Sequence, residues 1–125
     1  MKLTEHFTLE EFKAPAKYFD NYKKLCEEVL EPLRAHFKQP IVIHSGWRSA
    51  ARNKKVGGVP TSQHVTGEAC DFVVLNTDKM KVYEFICKTL KFKGQVFVYM
   101  KKGHVHAGLP RADLAGTHKI LEAIA

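Results

Sequence analysis

The chain has 125 residues, 45% hydrophobic and 26% charged, which is ordinary for one water-soluble domain, so we predict a single domain over residues 1–125. No apolar run approaches the roughly 20 residues that span a bilayer, and the start, MKLTEHFTLEEF, lacks the apolar stretch of a secretory signal. We therefore expect cytoplasmic synthesis and no membrane partner. The net charge of +7 favours a polyanionic partner, such as nucleic acid or an anionic cell wall, or it reflects a general solvated surface.

The first third of the chain predicts two helices. Thr8-Leu9-Glu10-Glu11 has the spacing of a capping box, which predicts a short helix there. A longer helix follows over residues 22–37, where apolar side chains recur at steps of three and four residues. Asp20 or Asn21 is available to cap this helix, and Pro32 should kink or break it.

The rest of the chain predicts strands separated by helices. The elements are a strand at Ile41–Ile43, a short helix at Ser49–Lys55, a strand at Ala69–Leu75, a helix capped by Thr77, strands at Gln95–Met100 and from His104 to Ala107, and a short helix from Thr117. The turn Lys101-Lys102-Gly103 should join the last two strands into a hairpin. Helices that precede and interrupt a small sheet indicate the α+β class.

Two histidines in the segment GHVH are the first candidates for chemistry. His104 and His106 are separated by one residue, so a strand would place both on one face and Val105 in the core. Neighbouring imidazoles are unusual as packing because each ring needs hydrogen-bond partners. The alternative is a pair of satisfied surface histidines on a hairpin.

The segment SQHVTGEACD supplies two further candidates, His64 and Asp71. Gly67 between them indicates a loop that runs into a strand, and such a path can bring both side chains to one point. Asp71 leads an apolar strand and needs a partner if it is buried; a metal or an ordinary cap or salt bridge would serve. With His106, the set offers two nitrogens and one oxygen, which suits zinc with the fourth position left to water.

The other reactive residues of this segment are set aside. Cys70 should alternate to the face opposite Asp71 and pack inward, which excludes it as a ligand and makes a cysteine peptidase a poor interpretation. Glu68 is expected to face solvent. The three cysteines show no paired spacing, which indicates a reduced protein without disulfides.

Four segments together resemble a known family: SGWRS, NKKVGG, SQHVTGEACD and GHVH. They are similar to the zinc D-alanyl-D-alanine carboxypeptidase family of metallopeptidases, which includes phage endolysins. The resemblance extends from the TLEEF helix to the HxH strand. It implies a Hedgehog/DD-peptidase-like zinc peptidase fold, with a small antiparallel sheet and flanking helices.

The resemblance also implies roles for individual residues. One Zn²⁺ per chain would be held by His64, Asp71 and His106. His104 would be a catalytic histidine close to the metal but not bound to it, and Arg48 would meet an anionic group of the substrate, for which an arginine fork is well suited. For Arg48 the alternative is a surface ion pair. Further substrate-binding positions would be Ser62, Gln63, Gln95 and Tyr99.

One departure from the family concerns the general base. Dipeptidase-like relatives carry a glutamate shortly before the last histidine, but the segment QVFVYMKKGHVH contains no acid. His104 is then the best candidate to carry the proton, and Tyr99 could donate to an oxyanion. The dipeptidase variant is correspondingly disfavoured.

The expected function is zinc-dependent hydrolysis of peptidoglycan peptide bonds, as a carboxypeptidase or an endopeptidase, in a monomer. Without an export signal, such an enzyme fits a phage or prophage endolysin released through a holin-type pore. The alternative is a non-catalytic zinc-containing module that binds the cell wall. A nucleic-acid binder is disfavoured because no such motif is present and aromatics do not alternate with the lysines.

Overall fold

The computed structural model describes residues 1–112 and 116–122. Within them, five strands form one sheet in the order β1-β2-β4-β3-β5. Neighbouring strands are antiparallel except β3 and β5, which are parallel. The strands are β1 at Ile41–Ser45, β2 at Ala69–Val74, β3 at Gln95–Tyr99, β4 at Val105–Gly108 and β5 at His118–Leu121.

The helices precede the sheet and lie between its strands. They are α1 at Phe19–Leu25, α2 at Glu31–Phe37, α3 at Ala50–Lys55 and α4 at Lys79–Glu84, with 3₁₀ turns at Leu9–Phe12 and Ala16–Tyr18 and π-helical segments at Cys26–Leu30 and Phe85–Thr89. The predicted α+β fold is confirmed, including the capping box at Thr8 and the β3–β4 hairpin.

The two faces of the sheet have different compositions. Side chains alternate along each strand, and the members that face the helices are apolar. This core set comprises Cys70, Phe72, Val74, Val96, Val98, Val105 and Ala107, packed with Tyr22, Leu25, Val29, Leu33, Val82 and Ile86. The alternate positions of β2, β3 and β4 face away from these helices and carry the polar residues of the site.

Pro32 does not break the long helix. The chain from Phe19 to Phe37 is helical throughout, and the π-helical segment Cys26–Leu30 lies directly before the proline. A proline has no backbone N–H and its ring crowds the preceding turn, and a widened π turn relieves both effects. The side-chain caps predicted at Asp20 and Asn21 are wrong, because the helix begins one turn earlier from the 3₁₀ turn.

Two other predictions at helix ends are corrected. Asp78, not Thr77, caps α4, since its Oδ1 accepts the N–H of Met80 at 2.9 Å. The segment from Thr117 contains strand β5 instead of a helix, because it pairs with β3 from Val96 to Tyr99. Residues 123–125 of that predicted helix lie outside the described residues. None of the helices described here has both the length and the hydropathy that crossing a membrane requires.

Candidate metal centre

Strand register brings Asp71 and His106 together. Asp71 on β2 lies directly opposite His106 on β4, and the same row continues to Phe97 on β3. All three side chains stand on the face away from the helices. The His106 Nδ1 lies 2.8 Å from Asp71 Oδ1, and the ring stacks on Phe97 with 5.0 Å between centroids.

His64 reaches the same point from the loop before β2. Gly67 lets this loop turn, because its φ of +67° is unfavourable for other residues and a Cβ there would lie 2.3 Å from the Tyr18 ring. The path from His64 to Asp71 is therefore a loop running into a strand, as expected. His64 Nδ1 donates to the Gly46 carbonyl at 2.7 Å, so its Nε2 faces Asp71 Oδ1 at 3.3 Å.

These three residues fit a zinc site. One ligand atom from each of His64, Asp71 and His106 lies within 4.8 Å of the others, and all three residues are buried. Tetrahedral zinc with ligands at about 2.0–2.1 Å separates the ligand atoms by about 3.3 Å. The distance from His64 Nε2 to Asp71 Oδ1 matches this separation, and the shorter 2.8 Å from His106 Nδ1 is a direct hydrogen bond. Metal-ligating histidines commonly donate their other N–H to a backbone carbonyl, as His64 does to Gly46.

The protonation states also suit a metal. Burial alone raises the pKa of Asp71, but hydrogen bonds and charges from His106 and His64 outweigh burial and hold the pKa well below its usual range. Burial lowers the pKa of His106, and Asp71 opposes this only in part. The carboxylate is therefore ionised and the neutral form of His106 is favoured, which are the forms that coordinate metals.

Arg48 lies beside the cluster. The alternative interpretation, that it forms an ion pair on the surface, does not fit its burial. Its side chain is 15% exposed, and its Nη2 lies 3.8 Å from Asp71 Oδ2. Its Nε donates to Ser45 Oγ at 3.2 Å and its Nη1 to Asn53 Oδ1 at 3.0 Å. A guanidinium has five N–H groups, so donors remain for an anionic ligand in the cleft.

His104 is next to the cluster but outside its ligand set. Its Nε2 lies 3.7 Å from Asp71 Oδ2, and its ring packs against Tyr99 with 4.8 Å between centroids. Burial lowers the pKa of His104, and Asp71 raises it only in part; the neighbouring Lys102 contributes to the lowering. A neutral imidazole at this position can accept a proton.

A cleft of about 430 Å³ opens over this face of the sheet, a volume suited to a few residues of a peptide. Most of the residues selected from the sequence line it: Arg48, Ser62, Gln63, His64, Asp71, Gln95, Tyr99 and His106. Ser62 Oγ accepts the N–H of His64 at 3.2 Å, so it also shapes the loop. The structure thus brings the predicted site residues to one place.

Gln63 has an acceptor that no other described residue uses. Its Nε2 donates to the Leu109 carbonyl at 2.7 Å, which fixes the direction of the amide. Its Oε1 is buried without a partner among the described residues. Gly108 provides the space, since a Cβ there would lie 2.3 Å from this oxygen.

The prediction that Glu68 faces solvent is wrong, because its side chain is largely buried. Its side chain is 18% exposed and its Oε1 accepts from Arg111 Nη1 at 3.1 Å. The ion pair lets a carboxylate remain in this partly buried position. Cys70 is in the core on the face opposite Asp71, and burial raises the pKa of its thiol well above the usual range.

Sequence reasoning missed several residues of the site. Phe97 lies two positions after Gln95 on β3, so the period of two along a strand could have indicated it. His44 packs near His104, with 6.3 Å between ring centroids, at an irregularity in the β1–β2 pairing. Nothing in the local sequence indicates that irregularity. Asn53 opens the segment NKKVGG, but the role of its side chain is recognisable only from its contacts.

The fold and the site together define a metallopeptidase: an α+β chain whose cleft holds a buried His–Asp–His ligand set. The chain belongs to the peptidase M15 family, whose model matches residues 5–108. M15 peptidases are zinc-dependent, and the predicted membership in this zinc D-Ala-D-Ala carboxypeptidase-like family is confirmed. No curated protein matches the chain.

Proposed function

We propose that this zinc peptidase hydrolyses peptide bonds of peptidoglycan, as a D-Ala-D-Ala carboxypeptidase or an endopeptidase of stem or cross-bridge peptides. The observation that carries the proposal is the buried His64–Asp71–His106 cluster beside the guanidinium of Arg48 in one cleft. A metal site next to a fixed cation suits a peptide with an anionic group close to the cleaved bond.

The chain's own residues divide the work of hydrolysis. His64, Asp71 and His106 would hold the zinc, which when bound supplies Lewis-acid polarisation of a carbonyl and lowers the pKa of water. His104 takes up and returns the proton, since its neutral ring lies beside the cluster and no acid occurs in QVFVYMKKGHVH. Arg48 orients the substrate through its anionic group.

The remaining cleft residues bind the substrate chain. Gln63 Oε1 is a buried acceptor with no partner in residues 1–112 and 116–122, and it suits an N–H of the substrate backbone. Gln95 lies near it, since both amide oxygens come within 3.5 Å of a Cβ built on Gly108. Tyr99 lies at the end of β3 opposite Gln95 and packs against His104, where its hydroxyl can donate to an oxyanion.

The biological setting that we propose is a phage or prophage endolysin that reaches the wall through a holin-type pore. The charge of +7 supports this proposal, because it attracts the enzyme to an anionic wall. The proposed enzyme works as a monomer with one Zn²⁺ per chain.

Metal content and turnover of one variant pair test the function. His106→Ala removes a buried ligand and should abolish both stoichiometric zinc and the release of fragments from purified peptidoglycan. His36→Ala is the matched control, since this exposed histidine lies on α2 against Phe85, away from the cleft. It should keep zinc and activity.

Mass spectrometry of the fragments identifies the bond that is cleaved. Loss of terminal D-Ala indicates a carboxypeptidase, and larger peptides indicate an endopeptidase. Stoichiometric zinc without any cleavage would instead support a non-catalytic wall-binding module. Cleavage that survives the loss of His106 would refute the metal mechanism.

A further inference from the structure

Asn53 is a buried polar residue beside the cleft whose amide nitrogen and oxygen are both hydrogen-bonded. It is 2% exposed on α3, the short helix that begins after Ser49. Its Nδ2 donates to the Val59 carbonyl at 2.7 Å. A carbonyl only accepts, so this bond fixes the direction of the amide and leaves Oδ1 to accept from Arg48 Nη1 at 3.0 Å.

The same residue holds the loop that follows α3. The backbone carbonyl of Asn53 accepts the N–H of Gly58 at 2.8 Å. A Cβ on Gly58 would lie 2.1 Å from Asn53 Oδ1 and 3.0 Å from Arg48 Nη1, so only glycine lets the loop approach this closely. Asn53 therefore joins α3 to two parts of the cleft wall, the loop to Val59 and Arg48.

Arg48 depends on these contacts for its direction. A free arginine side chain has many rotamers, and each fixed donor removes part of that freedom before a ligand arrives. Asn53 holds Nη1 and Ser45 holds Nε, so the protons on Nη2 remain directed toward the cleft.

We propose that Asn53 is a positioning residue that presents the Arg48 guanidinium to the anionic group of the substrate and sets the loop to Val59 around it. The proposal rests on the proposed role of Arg48, and it adds the residue on which that role depends. Asn53 itself does not touch the reacting atoms.

The first experiment tests the positioning without any substrate. The full chain, loaded with zinc, is labelled with ¹⁵N, and the Arg48 Nε–Hε signal is identified by its loss in Arg48→Lys. In the wild type the heteronuclear NOE of Nε should be that of an ordered group. In Asn53→Ala it should fall below the wild-type value, because the bond from Nε to Ser45 Oγ then holds the guanidinium without the bond from Nη1, with the backbone amide spectrum retained.

Asn53→Asp is the matched variant. It keeps an acceptor for Arg48 but has no donor for the Val59 carbonyl, so the Arg48 signal should stay ordered while amides of residues 57–59 shift. If Asn53→Ala does not fold, Asn53→Ser replaces it, because its shorter side chain does not reach Arg48. An Arg48 Nε heteronuclear NOE that is unchanged from the wild type in a folded Asn53→Ala or Asn53→Ser would overturn the proposal.

The second experiment compares two synthetic peptides that end in D-Ala-D-Ala, one with a free carboxylate and one with a terminal amide. Asn53→Ala should reduce the preference for the carboxylate about tenfold, mainly through KM, as expected for one charge-assisted hydrogen bond. Adding Asn53→Ala to Arg48→Ala should cause no further loss of this preference. A full additional loss in the double variant would also overturn the proposal.

The two experiments distinguish failure of the proposed role of Arg48 from failure of the proposed role of Asn53. A wild type that shows no preference for the carboxylate contradicts the proposed role of Arg48 in substrate binding. The NMR result still decides whether Asn53 orders the guanidinium.

Discussion

Asp71 is the residue on which the site depends most. One carboxylate lies within 4 Å of His64, His104, His106 and Arg48, and it is 7% exposed. Burial of a carboxylate is costly unless it is paired, and here the surrounding cations and N–H groups stabilise the ionised form. The same groups keep the carboxylate directed at the point where the two ligating histidines meet.

Gly108 offers a test of the free acceptor on Gln63. Gly108→Ala would place a methyl group 2.3 Å from Gln63 Oε1 and should move the amide out of the cleft floor. We expect kcat/KM for the peptide substrate to fall about tenfold, the effect of one lost hydrogen bond to a substrate N–H. The free energy of unfolding should fall by about 1–3 kcal/mol, since moving the amide also breaks its buried bond to the Leu109 carbonyl.

A double variant provides the control for this prediction. If the loss arises through Gln63, Gly108→Ala in a Gln63→Ala background should have little further effect on kcat/KM. Wild-type kcat/KM in Gly108→Ala, measured with the protein folded, would contradict the role of the Gln63 acceptor.

Among the secondary-structure elements, β2 and β4 determine the site, because their antiparallel register places Asp71 opposite His106. A shift of one residue would turn Asp71 into the core and Cys70 into the cleft. The apolar residues that alternate with the ligands, including Phe72 and Val105, make such a shift costly. Core packing therefore stabilises the geometry of the metal centre.

The cap of α4 is the second feature at this scale that can be tested. Asp78→Ala removes the acceptor for the Met80 N–H and should lower the free energy of unfolding by about 1 kcal/mol. Thr77→Ala is the neighbouring control, because Thr77 Oγ1 bonds the Leu75 carbonyl and caps nothing. Urea denaturation measures both; equal losses in the two variants would contradict the assignment of the cap.

Strand β5 illustrates why local patterns fail near the end of the chain. His118–Leu121 has no clear strand alternation, and three of its four residues are exposed. It extends because β3 offers an unpaired edge, and Val96 to Tyr99 pair with it in parallel. Long-range backbone hydrogen bonds decide its structure, and a local window of sequence does not contain them.

The whole molecule carries 20 basic and 13 acidic residues, and under the proposed function this excess would attract the enzyme to an anionic wall. Such attraction should depend on salt. Raising the ionic strength from about 0.01 M to about 1 M shortens the Debye length from ~30 Å to ~3 Å, and should strongly reduce the rate on intact, anionic peptidoglycan.

A small peptide amide without net charge is the control substrate for this prediction. Its turnover should change much less, because the chemistry occurs in a buried cluster that salt screens poorly. Equal salt dependence on both substrates would show that the surface charge does not recruit the enzyme to the wall.

The candidate metal ligands could be predicted from the sequence because each is locally unusual. Asp71 interrupts an apolar strand, and His104 and His106 have the spacing of one strand face, so each was unusual where it stood. His44 could not be selected, because nothing near it in sequence marks it. Asn53 opens the family-like segment NKKVGG, but that segment does not indicate what its side chain does. Asn53 is significant only because the loop to Val59 folds back over it, and His44 only because an irregular pairing brings it toward His104.

The sequence by itself determined the alternation that separates core from site and the α+β class, since these depend on residue type at spacings of a few positions. It also predicted His64, Asp71 and His106 as candidate ligands, through their chemistry and the resemblance to a family. The tertiary structure decided the distances among the ligands, the pairing of Glu68 with Arg111, the parallel strand β5 and the support of Arg48 by Asn53. These features require backbone segments far apart in the chain to meet, and their geometry depends on how the whole core packs.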